Sequence, residues 1–111
     1  MEISYSKQED ILIINLNGSL DTVTSNLLQK KIGKIIDAGN LKLIIYCAHL
    51  NYISSSGLRV FLMTLKRLKP LHGQLVLVGM TESIKEIFNI SGFNPLFKFS
   101  LDLQSGLNSF N

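Results

Sequence analysis

The sequence has no tryptophan, one cysteine, two prolines and two histidines among 111 residues. A single cysteine, Cys47, cannot make an internal disulfide, so the fold must be held by packing. Its apolar neighbours Leu43, Ile44 and Ile45 predict a buried structural thiol. Neither CxxC nor HExxH occurs, and His49 and His72 fall in separate predicted loops. Zinc needs three or four converging ligands, so no metal site is expected. GxxxxGK[ST] and GxGxxG are missing as well, and no cofactor is expected.

No run approaches the roughly 18 uninterrupted apolar residues of a membrane span. Glu2, Glu9 and Asp10 near the start depart from the basic-then-apolar layout of a secretory signal. The expectation is a cytoplasmic protein with no membrane insertion. The net charge of +3 comes from scattered residues, and its densest cluster is Lys66, Arg67 and Lys69. That cluster ends a predicted helix, where the dipole favours cations. Without a basic stripe supported by aromatic residues, no direct nucleic-acid partner is expected.

What is present is a 46% hydrophobic chain of the size of one domain, with no repeat or linker to divide residues 1–111. Segments of strand and helix character alternate, which predicts an α/β fold with a mixed, mostly parallel β-sheet packed by helices. Ile3 and Tyr5 alternate with polar neighbours, Gln8-Glu9-Asp10 turns the chain, and Ile11–Leu16 is a short branched run. The two strands read as a hairpin ending at Asn17-Gly18. Leu28, Ile32, Ile35 and Ile36 then recur at helical spacing, and Gly39 suits a left-handed helix end. Leu41–Ala48 is apolar apart from Lys42, as expected of a central strand buried on both faces.

A second helix carries Leu58, Phe61, Leu62, Leu65 and Leu68 inward until Pro70 stops it. Leu75–Val78 reads as another buried strand. Thr81 or Ser83 can cap a third helix with Ile84, Ile87 and Phe88 inside. Pro95–Phe99 fits an edge strand, since a proline at its start loses no ladder bond. Leu103, Leu107 and Phe110 predict a final short helix weakened by Gly106. The order is β-β-α-β-α-β-α-β-α.

The segment Asn51-Tyr52-Ile53-Ser54-Ser55-Ser56-Gly57-Leu58-Arg59 joins a strand to an amphipathic helix. Three hydroxyls and a glycine at a helix start can serve as an anion site, because first-turn N–H groups lack intrahelical partners. They can equally serve as an ordinary cap, for which one serine is enough. Spacing does not separate the two. A serine nucleophile fits worse, since Ile53 stands where the Gly-x-Ser-x-Gly elbow needs glycine. His49 is the only nearby base in sequence, with no third group to orient it.

Leu50-Asn51-Tyr52-Ile53-Ser54-Ser55-Ser56-Gly57-Leu58-Arg59-Val60 resembles the strand-to-helix signature of bacterial anti-sigma-factor antagonists and other STAS domains. Gly18-Ser19-Leu20-Asp21 resembles the family's Gly-x-Leu-Asp turn, and the element order fits from end to end. The resemblance implies a regulatory binding protein and not an enzyme. Its implied partner is an anti-sigma factor that is a histidine-kinase-like ATPase and serine kinase, with a phosphatase to reverse the modification. By alignment Ser55 is the phosphorylation acceptor, and the partner surface comprises Asp21, Ser54, Ser55, Ser56, Gly57 and Arg59. Ser54 stands where the commonest motif has aspartate, as does Tyr46 at the strand-end position. The family also implies an alternative, a STAS accessory subunit or scaffold of a membrane transporter or signalling complex that is not phosphorylated.

Overall fold

Glu9 adopts a left-handed conformation, φ 55°, and reverses the chain between β1 (Glu2–Gln8) and β2 (Ile11–Leu20). The computed structural model describes residues 1–110. After the hairpin come α1 (Thr22–Asp37), β3 (Lys42–Ile53), α2 (Ser55–Leu68), β4 (Gln74–Val78), α3 (Glu82–Ile90), β5 (Lys98–Ser100) and α4 (Leu103–Asn108). The sheet order is β1-β2-β3-β4-β5. β1 runs antiparallel to β2, and every later pair is parallel. The expected mixed, mostly parallel α/β sheet and its element order are therefore observed.

Alternation along the buried strands divides the core in two. Ile14, Leu16, Leu43, Ile45, Cys47, Leu75 and Leu77 face the layer formed by α1, α2 and α3. Ile11, Ile13, Ile44, Val76 and Val78 face the other way, toward Leu103, Leu107 and Phe110. Phe88 of α3 ties three elements together: its ring centroid lies 5.9 Å from Phe61, 5.6 Å from Phe97 and 5.9 Å from Phe99. Fully burying one such ring contributes roughly 1.5–3 kcal/mol. Among the described residues no helix is long and apolar enough to cross a membrane.

Several local expectations are corrected. The hairpin does not end at Asn17-Gly18; β2 continues to Leu20, with register shifts between Asn15 and Asn17 and between Gly18 and Ser19. Its partner β3 continues past Ala48 to Ile53, because pairing with Asn17–Leu20 keeps polar His49 in the ladder and carries the strand across Asn51, the residue left over at the second register shift. His49 is thus a strand residue, and Tyr46 is mid-strand rather than at its end. Pro70 sits inside a 3₁₀ turn, Lys69–Leu71, that extends α2 before the chain breaks. Asn94–Leu96 is also a 3₁₀ turn, so the edge strand begins only at Lys98. Gly106 is buried against the sheet, where a Cβ would fall 2.6 Å from Val78 Cγ2. Its missing side chain permits the close approach of α4 to the sheet, a role that local helix propensity does not reveal.

Candidate functional site

Parallel pairing brings two strand-to-helix turns to one edge of the sheet. Leu20 and Ile53 are register partners, and the Ser54 amide donates to the Leu20 carbonyl at 2.9 Å. Asp21 and the serine turn, separated by more than thirty residues in sequence, are therefore neighbours.

Each turn is locked by its own cap. The Thr24 amide donates to Asp21 Oδ1 at 2.9 Å, and the Asp21 amide donates to Thr24 Oγ1 at 2.9 Å, a reciprocal capping box at the start of α1. Hydrogen bonds from the Thr24 amide first, then from its hydroxyl, hold the exposed Asp21 carboxyl below the usual carboxylate range. In α2 the cap is Ser54, whose Oγ accepts from the Gly57 amide at 3.2 Å while its carbonyl accepts from the Leu58 amide at 3.0 Å.

The three serines are thus unequal. Ser54 is half-buried and tied to the cap, and Ser56 is half-buried. Ser55 is exposed at the first helical position, over amides that helix geometry leaves unpaired. Arg59 is also exposed and stands one turn after Ser55 on the same face. The first turn of α2 carries no acidic side chain.

Gly57 requires a correction. It is buried beneath the turn, where a Cβ would lie 2.7 Å from Ile53 Cγ1 and 2.8 Å from Leu20 Cδ2. Its contribution is the close docking of α2 on the ends of β2 and β3, not a contact surface.

Ser55, Leu58, Arg59 and Leu62 form one wall of a shallow depression of about 280 Å³, and Ser91 and Phe93 form the other. The second wall was missed in the sequence, because nothing local to the end of α3 announces where α2 will pack. Tyr46 lies well upstream of the turn, paired with Asn15 and Val78, with its ring edge-on to His49 at 6.0 Å. His49, considered as a base for Ser55, is paired with Asn17 in the ladder.

A family model for the STAS domain matches residues 2–106, and the chain belongs to that family. Two relatives and one solved structure are similar to it. BtrV of Bordetella bronchiseptica, to which an anti-sigma factor antagonist role is ascribed, is 33% identical over 87% of this chain and 84% of its own length. The anti-sigma-B factor antagonist of Bacillus subtilis is 25% identical over 96% of this chain and 97% of its own length. A Thermotoga maritima structure ascribed the same role superposes with a TM-score of 0.91 at 19% identity, covering 96% of this chain and 92% of that one, and shows the same fold.

Proposed function

We propose that this chain is an anti-sigma-factor antagonist. It binds a histidine-kinase-like anti-sigma factor through Asp21, Ser54, Ser55, Ser56 and Arg59, and phosphorylation of Ser55 by that partner releases it. A phosphatase restores the binding form. The observation that carries this reading is the exposure of Ser55, in contrast to its half-buried neighbours, on the edge shared with Asp21. The relatives named for anti-sigma antagonism support the class of partner.

Phosphate would add about −1.5 to −2 charge. At the first residue of a 14-residue helix this charge meets free amides and the positive dipole end, with Arg59 one turn away. Ser54 is neutral where relatives commonly carry aspartate, so no carboxylate at the cap repels the phosphate. The domain therefore stays folded when modified. The switch acts at the interface, through a dianion placed at the mouth of the depression beside Leu58 and Leu62.

Phosphopeptide mapping of the protein isolated from its native cells tests this. One phosphoryl group on Ser55 is expected. Phosphate on Ser54 or Ser56 instead, or none under any growth condition, would overturn the assignment and leave a non-switching scaffold.

A further inference from the structure

The depression that α2 shares with the end of α3 has an apolar floor and a polar rim. Leu58 is buried and Leu62 and Phe93 are half-buried, whereas Ser55, Arg59 and Ser91 are exposed. The Phe93 ring leans on Phe97, 6.5 Å away between centroids, and Ser91 is the residue that ends α3.

Arg59 is the one charged residue lining the depression. Its guanidinium forms no ion pair and no hydrogen bond among the described residues. Asp37, the only carboxylate on α1 and α2, is taken by Arg67. An arginine presents a fork of N–H donors that fits a carboxylate or a phosphate, and an apolar floor beside it weakens screening by water. Two anions can reach this fork. One is a carboxylate on a docked protein, and the other is a phosphate on Ser55, one helical turn earlier at a Cβ spacing of about 5–6 Å. They compete, because a phosphate dianion draws the guanidinium toward the helix start and leaves any facing carboxylate opposite net negative charge.

We propose that Arg59 is exchanged between these two anions, an inference that rests on the Ser55 switch and states how it works. In the unmodified chain the anti-sigma factor seats an apolar side chain on Leu58, Leu62 and Phe93, with a neighbouring carboxylate on Arg59. Continuity and charge select this occupant: the depression opens on the surface that carries Ser55, and its rim offers a cation with no carboxylate of its own. After modification the phosphate folds Arg59 back along α2, and the partner's carboxylate faces a dianion instead.

Phosphoserine incorporated at position 55 of the full chain by an expanded genetic code needs neither kinase nor partner. Phosphorus NMR should show its second proton leaving at a pKa about half a unit or more below that in the Arg59→Gln variant, because a nearby cation favours the dianion. Equal values in the two chains would overturn the proposal. Affinity for the purified anti-sigma factor supplies the second arm. Arg59→Gln should weaken the unmodified chain about tenfold or more. Phosphate should then cost less affinity in that variant than in the wild type, by a factor of about three or more. Ser91→Trp fills the depression from its exposed rim, and should weaken the unmodified chain without moving the phosphate titration. Unchanged affinity of either variant, or an undiminished effect of phosphate without Arg59, would overturn the exchange and leave the Ser55 switch standing. A wild type that binds no anti-sigma factor would overturn the switch, and the exchange with it.

Discussion

The Ser54 amide and the Leu20 carbonyl are joined by a 2.9 Å hydrogen bond, and this one contact fastens the serine turn to the turn that bears Asp21. It forms because β2 and β3 run parallel and remain paired as far as Leu20 and Ile53. Both helices then start from the same edge, and a partner can read the two turns at once.

Gly57 is the residue that lets α2 come so close. Gly57→Ala would gain about 1 kcal/mol of helix propensity. Its methyl must nevertheless displace the buried side chains of Ile53 and Leu20, and overpacking of this kind costs about 1–3 kcal/mol. The expected result is a net loss of stability, read as a lower urea midpoint with unchanged slope. An unchanged or raised midpoint would mean that α2 has more room than its contacts indicate.

The Ser54 cap contributes to the stability of the start of α2. Ser54→Ala removes the acceptor for the Gly57 amide and should cost about 0.5–2 kcal/mol. Ser54→Asp keeps a capping oxygen and introduces the aspartate common in relatives, so its stability should match or exceed the wild type at neutral pH. Chemical denaturation of the two variants checks the order; equal losses in both would remove Ser54 from the cap.

Asp21 makes part of the stability depend on acid. Its carboxyl is held below the ordinary 3.8 by the Thr24 amide and hydroxyl. A group whose pKa is depressed on folding stabilises the native state above its unfolded pKa, and loses that contribution as pH falls through the folded value. Asp21→Asn keeps an acceptor but cannot titrate. The wild-type advantage over this variant should therefore be full at neutral pH and shrink as pH drops below about 3.8. A difference that stays constant down to pH 2 would show that the charge contributes nothing.

Cys47 lies wholly inside, and burial pushes its thiol up to about 12. With almost no thiolate, the native protein should resist disulfide reagents at pH 8, and labelling should proceed only through unfolding. The labelling rate should rise with urea in parallel with the loss of helical signal. Rapid labelling of native protein would contradict the burial.

Much of this architecture is legible in the residues. Branched runs such as Ile11–Leu16 and Leu75–Val78 announce buried strands, and helical spacing exposes the inner faces of α1, α2 and α3. The errors fall where tertiary pairing overrides local pattern. Polar His49 reads as loop, yet the extended β2 holds it in the ladder opposite Asn17, and the strand runs on through the register shift at Asn51. Pro95 fits the start of a strand, but Asn94–Leu96 forms a tight turn instead. At the site, the serine turn carries a family motif and its caps are local, so Ser54, Ser55 and Asp21 can be found from sequence. The burial of Gly57 and the wall supplied by Ser91 and Phe93 depend on how α2 docks, which no local signal encodes.

The central claim is that Ser55 controls the partner interface without controlling the fold. The most direct test looks for capture of the proposed histidine-kinase-like ATPase from native cells with wild type, Ser55→Ala and Ser55→Asp, its identity fixed by peptide mass and its affinity then measured with purified protein. The expected result is retention by the alanine variant and at least a tenfold loss with the aspartate variant, with all three melting within a few degrees of one another. Equal affinity of all three, or an aspartate variant that loses its partner because it unfolds, would contradict the claim.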